Sequence, residues 1–176
     1  MIFFLFGLLG AGKNFVGKIW AEEFGFTFYD ADQDLTPVMK DAIANHQEFS
    51  EQMRDEYFEI VIRRIAELRE GHPKLVIAQA LFKNHNRRQI LTHFPEIKFV
   101  WVQADQRLLG NRLSERQDNP AGKAYGELVN KFFELPDISH QVLANNKGRE
   151  EIIQQIANLL AKQETVNQDN RTSKVT

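Results

Sequence analysis

The eight residues Gly7-Leu8-Leu9-Gly10-Ala11-Gly12-Lys13-Asn14 carry the most specific chemistry in this sequence. Their spacing follows the phosphate-binding loop G-x-x-x-x-G-K-[ST] at every position but the last. Glycines let backbone N–H groups turn inward around an anion with no Cβ in the way. A lysine placed as Lys13 reaches the β- and γ-phosphates of a nucleotide. Gly7, Gly10, Ala11, Gly12, Lys13, Asn14 and Phe15 are therefore the candidate nucleotide ligands, with Lys13 also catalytic. Asn14 stands where a Ser or Thr hydroxyl ordinarily binds Mg²⁺. Its amide oxygen can ligate, but the side chain is longer, and Mg²⁺ tolerates little departure from octahedral geometry. The departure bears on turnover and leaves binding intact.

The surrounding pattern must position that loop. Ile2-Phe3-Phe4-Leu5-Phe6 is a continuous apolar run suited to a strand buried on both faces of a parallel sheet, and residues 15–23 read as the helix whose N-terminus adds positive partial charge. A second strand at 26–29 delivers Asp30-Ala31-Asp32 at its C-terminal end, the edge where open α/β sheets bind ligands. Alternating carboxylates there can face one site, one on Mg²⁺ and one on a substrate hydroxyl, and Asp30 and Asp32 are read as that pair rather than as a solvated turn or helix cap. Asp34 is read as a first-turn helix charge. Residues 36–44 and 48–69 read as helices, the second with a core stripe through Tyr57, Phe58, Val61 and Ile65. Arg54 on that helix has two open readings, a bidentate anchor for an anionic substrate or a surface charge paired with Glu51. A third strand at 74–78 ends in Gln79-Ala80-Leu81. The following helix, 83–93, opens with Lys83, His85, Arg87 and Arg88, cations that the macrodipole does not favour there and that suit an anionic partner. A fourth strand spans 97–102 and a helix 105–116. Residues 117–125 break periodicity and read as an arginine-flanked lid with Gly122 and Gly126 as hinges. A short helix at 127–135, a fifth strand at 141–144 and a closing helix at 149–162 follow. Residues 1–163 form one domain with the lid at about 117–126, and 164–176 a polar, disordered tail.

Composition narrows the class. At 176 residues, 43% hydrophobic and 26% charged, the chain suits a single globular domain. A formal net charge of −2 argues against nucleic acid as a partner. The absence of cysteine removes disulfides, thiolate metal sites and a cysteine nucleophile, and fits a cytoplasmic protein. The apolar start has no basic segment before it and runs directly into the glycine-rich loop, so it reads as neither a signal peptide nor a membrane segment.

Taken together, the loop, Phe28-Tyr29-Asp30-Ala31-Asp32-Gln33, Arg54, Ala80-Leu81-x-Lys83 and Arg112-Leu113-x-x-Arg116 resemble the gluconate kinases. The Phe-Tyr-Asp-x-Asp-Gln stretch extends the likeness to shikimate kinases. The resemblance implies an α/β fold of the P-loop NTPase type, a three-layer sandwich with a five-stranded parallel sheet, helices on both faces and a small lid. It also implies ATP with Mg²⁺ and transfer of the γ-phosphoryl group to a hydroxyl of a small sugar acid, an anionic polyol, and it leaves a homodimer open. Carried over by position, Gly10, Gly12 and Lys13 hold phosphates, Arg112 serves the nucleotide, and Asp30 lies near the metal. Asp32 approaches the accepting hydroxyl as a catalytic group, Arg54, Lys83 and Arg87 hold the substrate, and Arg116 acts catalytically from the lid. Asn14, Gln79 and Ala121-Gly122 depart from the gluconate kinase pattern, and no glycine-rich turn of the shikimate kinase kind follows the third strand. That last feature ranks gluconate ahead of shikimate. The alternatives are shikimate kinase-like activity, or a nucleotide-binding protein with impaired catalysis.

Overall fold

The computed structural model describes residues 1–115 and 122–172. Strands β1 (Ile2–Phe6), β2 (Thr27–Asp30), β3 (Leu75–Ala78), β4 (Lys98–Gln103) and β5 (His140–Ala144) form one sheet in the order β2-β3-β1-β4-β5. Every pairing is parallel. Helices α1 (Lys13–Phe24), α2 (Pro37–Ala44), α3 (Glu51–Gly71), α4 (Asn84–His93), α5 (Gln106–Glu115), α6 (Gly122–Asn130) and α7 (Arg149–Thr172) supply the crossovers. The α/β sandwich with a five-stranded parallel sheet is thus the one expected.

Alternation along β1 explains why its five apolar residues are all buried. Phe3 and Leu5 face α1 and α7, packing with Trp20, Val16, Ile152 and Ile156. Phe4 and Phe6 face the other layer, packing with Tyr57, Val61, Ile65 and Ile90 of α3 and α4. Burying each such side chain is worth roughly 1.5–3 kcal/mol, so β1 anchors both layers at once. Its central place puts the turn after it at the point where the chain crosses to the other half of the sheet, the usual site of a ligand crevice.

Caps set where the site-bearing helices begin. Thr36 Oγ1 accepts from Met39 N with Pro37 in the first turn of α2, and Ser50 Oγ accepts from Met53 N at the start of α3. Asp30 Oδ1 accepts from Asp32 N and starts a single 3₁₀ turn, Ala31–Asp34.

Three expectations change. Asp34 does lie in a first helical turn, that of the 3₁₀ segment, but rather than standing free it accepts from Tyr29 Oη at 2.8 Å and pairs with Arg64 at 3.3 Å. The second part of the expected lid is helix, since α6 starts at Gly122 and ends at Asn130 rather than spanning 127–135. Arg116 and the rest of that loop lie outside the described residues. Finally, α7 continues to Thr172, well past residue 162. Residues 163–172 hold no Pro or Gly, so nothing local stops a helix whose apolar stripe has ended.

Candidate active site

Two cavities meet at the C-terminal edge of the sheet. The first, about 440 Å³, is built by the turn between β1 and α1 and is lined by Gly10, Gly12, Lys13, Asn14, Phe15, Asp32, Arg112 and Asn145. Gly12, at φ 84°, lies in the left-handed region, and a Cβ there would come within 2.2 Å of Asn145 Nδ2. Only glycine meets both conditions. Lys13 is buried, and its Nζ donates to Gly7 O at 3.1 Å and Leu8 O at 2.9 Å, which holds the ammonium over the centre of the loop. Gly7 and Ala11 do not line the cavity. They shape it instead, Gly7 through that carbonyl and Ala11 by accepting from Asn145 Nδ2 at 2.9 Å.

The loop is held from outside by residues that motif spacing does not reveal. Asn130 on α6 brackets Leu9, accepting from its N–H at 2.8 Å and donating to its carbonyl at 3.2 Å. Asn145, just past β5, is buried and also accepts at its own carbonyl from Arg112 Nη2 at 3.0 Å. Arg112 lines the cavity, and its buried Nη1 has no hydrogen-bond partner among the described residues. The position of Asn145 at the C-terminal end of a strand was the available signal, whereas Asn130 offered none. Asn14 Nδ2 donates to Asp30 Oδ2, so the two residues assigned to a metal are in direct contact.

The second cavity, about 120 Å³, opens beside the first. Its wall is mostly apolar: Leu35, Met39 and Ile43 from the 3₁₀ turn onward and α2, Tyr57 and Phe58 from α3, Leu81 and Phe82 after β3, and Tyr125, Val129 and Phe132 at and beyond α6. Tyr125 Oη donates to Gln47 O at 3.3 Å, tying α6 across to the segment before α3. The polar residues of the wall are Asp32, Glu48, Arg54, Gln79, Lys83 and Asn86. Asp32 lines both this cavity and the phosphate cavity, so it stands at their junction. Arg54 also lines this cavity, and among the described residues it makes no ion pair with Glu51. Lys83 lies beside it and pairs with Glu134 at 3.1 Å. Glu134 also accepts from Asn84 N at 2.8 Å, and that bond, followed by Lys83, holds its carboxyl below the usual value.

Arg87 is a correction. It was expected to hold substrate, but it is fully buried and lines neither cavity. Its guanidinium sits 5.0 Å from the Phe6 ring centre and 4.9 Å from that of Phe133. It donates to Leu81 O at 3.0 Å, Phe82 O at 3.1 Å and Glu134 O at 2.9 Å. Burial lowers its pKa to about 10, so it remains a cation at neutral pH, satisfied by carbonyls. Arg87 therefore fixes the turn after β3. Leu81 there has φ 47°, and Gln79 Oε1 accepts from its N–H. A leucine in that conformation costs about 1–2 kcal/mol, offset by these bonds. Arg88, beside it in sequence, is exposed and pairs with Asp137.

The family profile described as shikimate kinase matches residues 9–175. A shikimate kinase from Rhizobium leguminosarum is 31% identical over 118 residues, covering 66% of this chain and 58% of that protein. The matches span only about half the length of the curated relatives, or little more. A gluconokinase from Sinorhizobium meliloti shares the fold with a TM-score of 0.77 over 95% of each chain at 19% identity. A shikimate kinase from Acinetobacter baumannii, in complex with shikimate, does so with a TM-score of 0.60 over 92% of this chain and 93% of that one, at 18% identity.

Proposed function

The chain belongs to the shikimate kinase family, and from that membership we propose that it is an ATP-dependent kinase phosphorylating a hydroxyl of a small organic acid. The observation that carries the reading is the position of Asp32, which lines both the phosphate cavity and the apolar one. A hydroxyl beside Asp32 faces the phosphate loop from the opposite side. The bond between the γ-phosphorus and the β–γ bridging oxygen breaks, a bond to the hydroxyl oxygen forms, and the hydroxyl proton passes to the Asp32 carboxylate. Lys13 and Arg112 stabilise the charge on the transferring group, and the apolar wall keeps water from competing with the acceptor.

Asp30 suits a divalent cation, because each of its oxygens keeps a lone pair beyond the bonds to Asn14 and Asp32. No cluster of three metal-ligating side chains exists among the described residues, so the nucleotide's phosphates would supply most ligands. Bound Mg²⁺ supplies charge neutralisation across those phosphates. The hydrogen bond from Asn14 to Asp30 also favours a second reading, a nucleotide-binding protein of slow turnover.

The order of acceptors reverses from the sequence-based one. Gluconate ranked first because glycines are missing after β3, but Gln79 and Arg87 hold Leu81 in the conformation glycine would take. The missing glycines therefore do not count against a shikimate-type turn, and the family match puts shikimate ahead of gluconate. The test is calorimetry with Mg²⁺ and ADP, followed by acceptor-dependent ADP release. Nucleotide binding together with release on shikimate or a related acid is expected. Arg54→Ala should raise the acceptor KM about tenfold or more, the worth of a charge-assisted contact, with the KM for ATP little changed. An unmutated protein that binds no nucleotide would end the kinase reading.

A further inference from the structure

Asp32 stands on the single 3₁₀ turn Ala31–Asp34, and a turn that short holds its own shape poorly. Leu35 N reaches Asp32 O only at 3.4 Å, and Asp32 N reaches Asp30 Oδ1 at 3.2 Å. Helix α3 grips the turn at two points. At the far end Arg64 pairs with Asp34, but the arginine side chain is nearly half exposed, and such a pair restrains little. At the near end Tyr57 Oη donates to Ala31 O at 2.8 Å, with Tyr57 1% and Ala31 0% exposed. A short bond shut away from water meets no competing partner, so it defines where the turn sits. Burial first, and then the negative charge of Asp32, raise the Tyr57 hydroxyl well above its ordinary value, so it stays a donor at any working pH.

The core stripe of α3 needs only the ring of Tyr57. Its hydroxyl is an addition, and it is spent on the residue next to Asp32. Arg54, one turn earlier on the same helix, lines the acceptor cavity together with Tyr57. One helix therefore carries both a cation of that cavity and the tether of its carboxylate.

Given the kinase reading, on which this rests, we infer that Tyr57 is a positioning residue for phosphoryl transfer. Through Ala31 O it holds the Asp32 carboxylate where the acceptor hydroxyl can give up its proton while facing the phosphate loop. Tyr57 takes no proton itself. Its contribution lies in kcat and not in the binding of either substrate, because Tyr57→Phe keeps the ring that lines the cavity.

The experiment compares the unmutated chain with Tyr57→Phe, using Mg²⁺–ATP and whichever of shikimate and gluconate releases ADP faster. kcat should fall about tenfold, with both KM values within about twofold, since the lost bond displaces the base without emptying either cavity. In an Asp32→Asn background the same substitution should change the residual single-turnover rate by less than about twofold, because no base is left to position. Amide hydrogen exchange supplies a readout that needs no turnover. Residues 31–35 should exchange about fivefold faster or more in Tyr57→Phe, and residues 7–13 at their former rate. An unchanged kcat, a loss carried by KM, a further tenfold loss in the Asp32→Asn background, or unchanged exchange at 31–35 overturns the inference. Binding of Mg²⁺–ADP to the unmutated chain is read separately by calorimetry. If neither binding nor ADP release is found, the kinase reading falls and this inference with it. If both are found and the outcomes above fail, only the role of Tyr57 is lost.

Discussion

The two cavities are built by opposite means. The phosphate cavity centres on one continuous turn, whose shape depends on glycine at position 12 and which carries Lys13, with Arg112, Asn130 and Asn145 closing around it. The acceptor cavity is almost all side chain, gathered from the 3₁₀ turn, α2, α3, the turn after β3, α4 and α6. A site centred on one local turn depends on fewer distant elements, here α5, α6 and the end of β5. A site gathered from many elements depends on whatever keeps those elements in register, and here that is Arg87.

Arg87→Leu should therefore separate the two halves most widely. It leaves the carbonyls of Leu81 and Glu134 without the donor they have here, and that of Phe82 with Glu134 N alone. A loss of about 3–5 kcal/mol is expected, read as a shift in the denaturation midpoint. The protein still folded should bind Mg²⁺–ADP with nearly its former affinity but lose the acceptor. Equal losses on both sides would show that the halves are not independent.

Lys13→Ala tests the other half. Triphosphate affinity should fall by about 1.5–3 kcal/mol, measured by calorimetry, with acceptor binding in the presence of ADP little altered. A smaller change is expected of Asn14→Thr. It removes the amide bond to Asp30 and restores a compact hydroxyl near the metal, so steady-state ADP release should rise several-fold across a Mg²⁺ titration at nearly constant nucleotide affinity. No acceleration at any Mg²⁺ concentration would mean that Asn14 does not limit the site.

The smallest effect is pH-dependent and confined to the acceptor side. The Glu134 carboxyl is depressed below its ordinary 4.5, first by the Asn84 N–H and then by Lys83. A depressed acid stabilises the fold above its unfolded value and loses that contribution as pH falls through the lowered folded value. Acidification from pH 5 should cost a little stability, and the Glu134→Gln variant should flatten that part of the profile. Screening at this half-exposed pair keeps the effect small.

The same contrast explains what was legible in the sequence. The sheet could be read because β1, β3 and β4 are short apolar runs, each followed by a helical pattern, and the phosphate loop because its chemistry lies within eight consecutive residues. Asp32 could be found from its place at a strand end. Arg87 could not be told from Lys83, since both open one helix, and only the fold shows that one points to solvent-facing cavity and the other between two phenylalanine rings. Asn130 and Asn145 carry no motif, and their importance comes from partners far away in sequence.

The bond from Arg87 to Glu134 O spans 47 residues, and that separation has a kinetic side. Strands β1, β2 and β3 can pair once the first 78 residues exist, yet the guanidinium beside them lacks one of its carbonyls and the Phe133 ring until α6 has been made. The early sheet thus assembles around a cation that is still partly unsatisfied, and closing that long loop is a late event whose entropy must be met before its contacts form. During synthesis both cavities are completed late, the acceptor cavity with the segment through Glu134 and the phosphate loop with Asn130 and Asn145. A chain halted before residue 133 would carry an open, arginine-lined apolar face, the kind of surface on which folding intermediates associate.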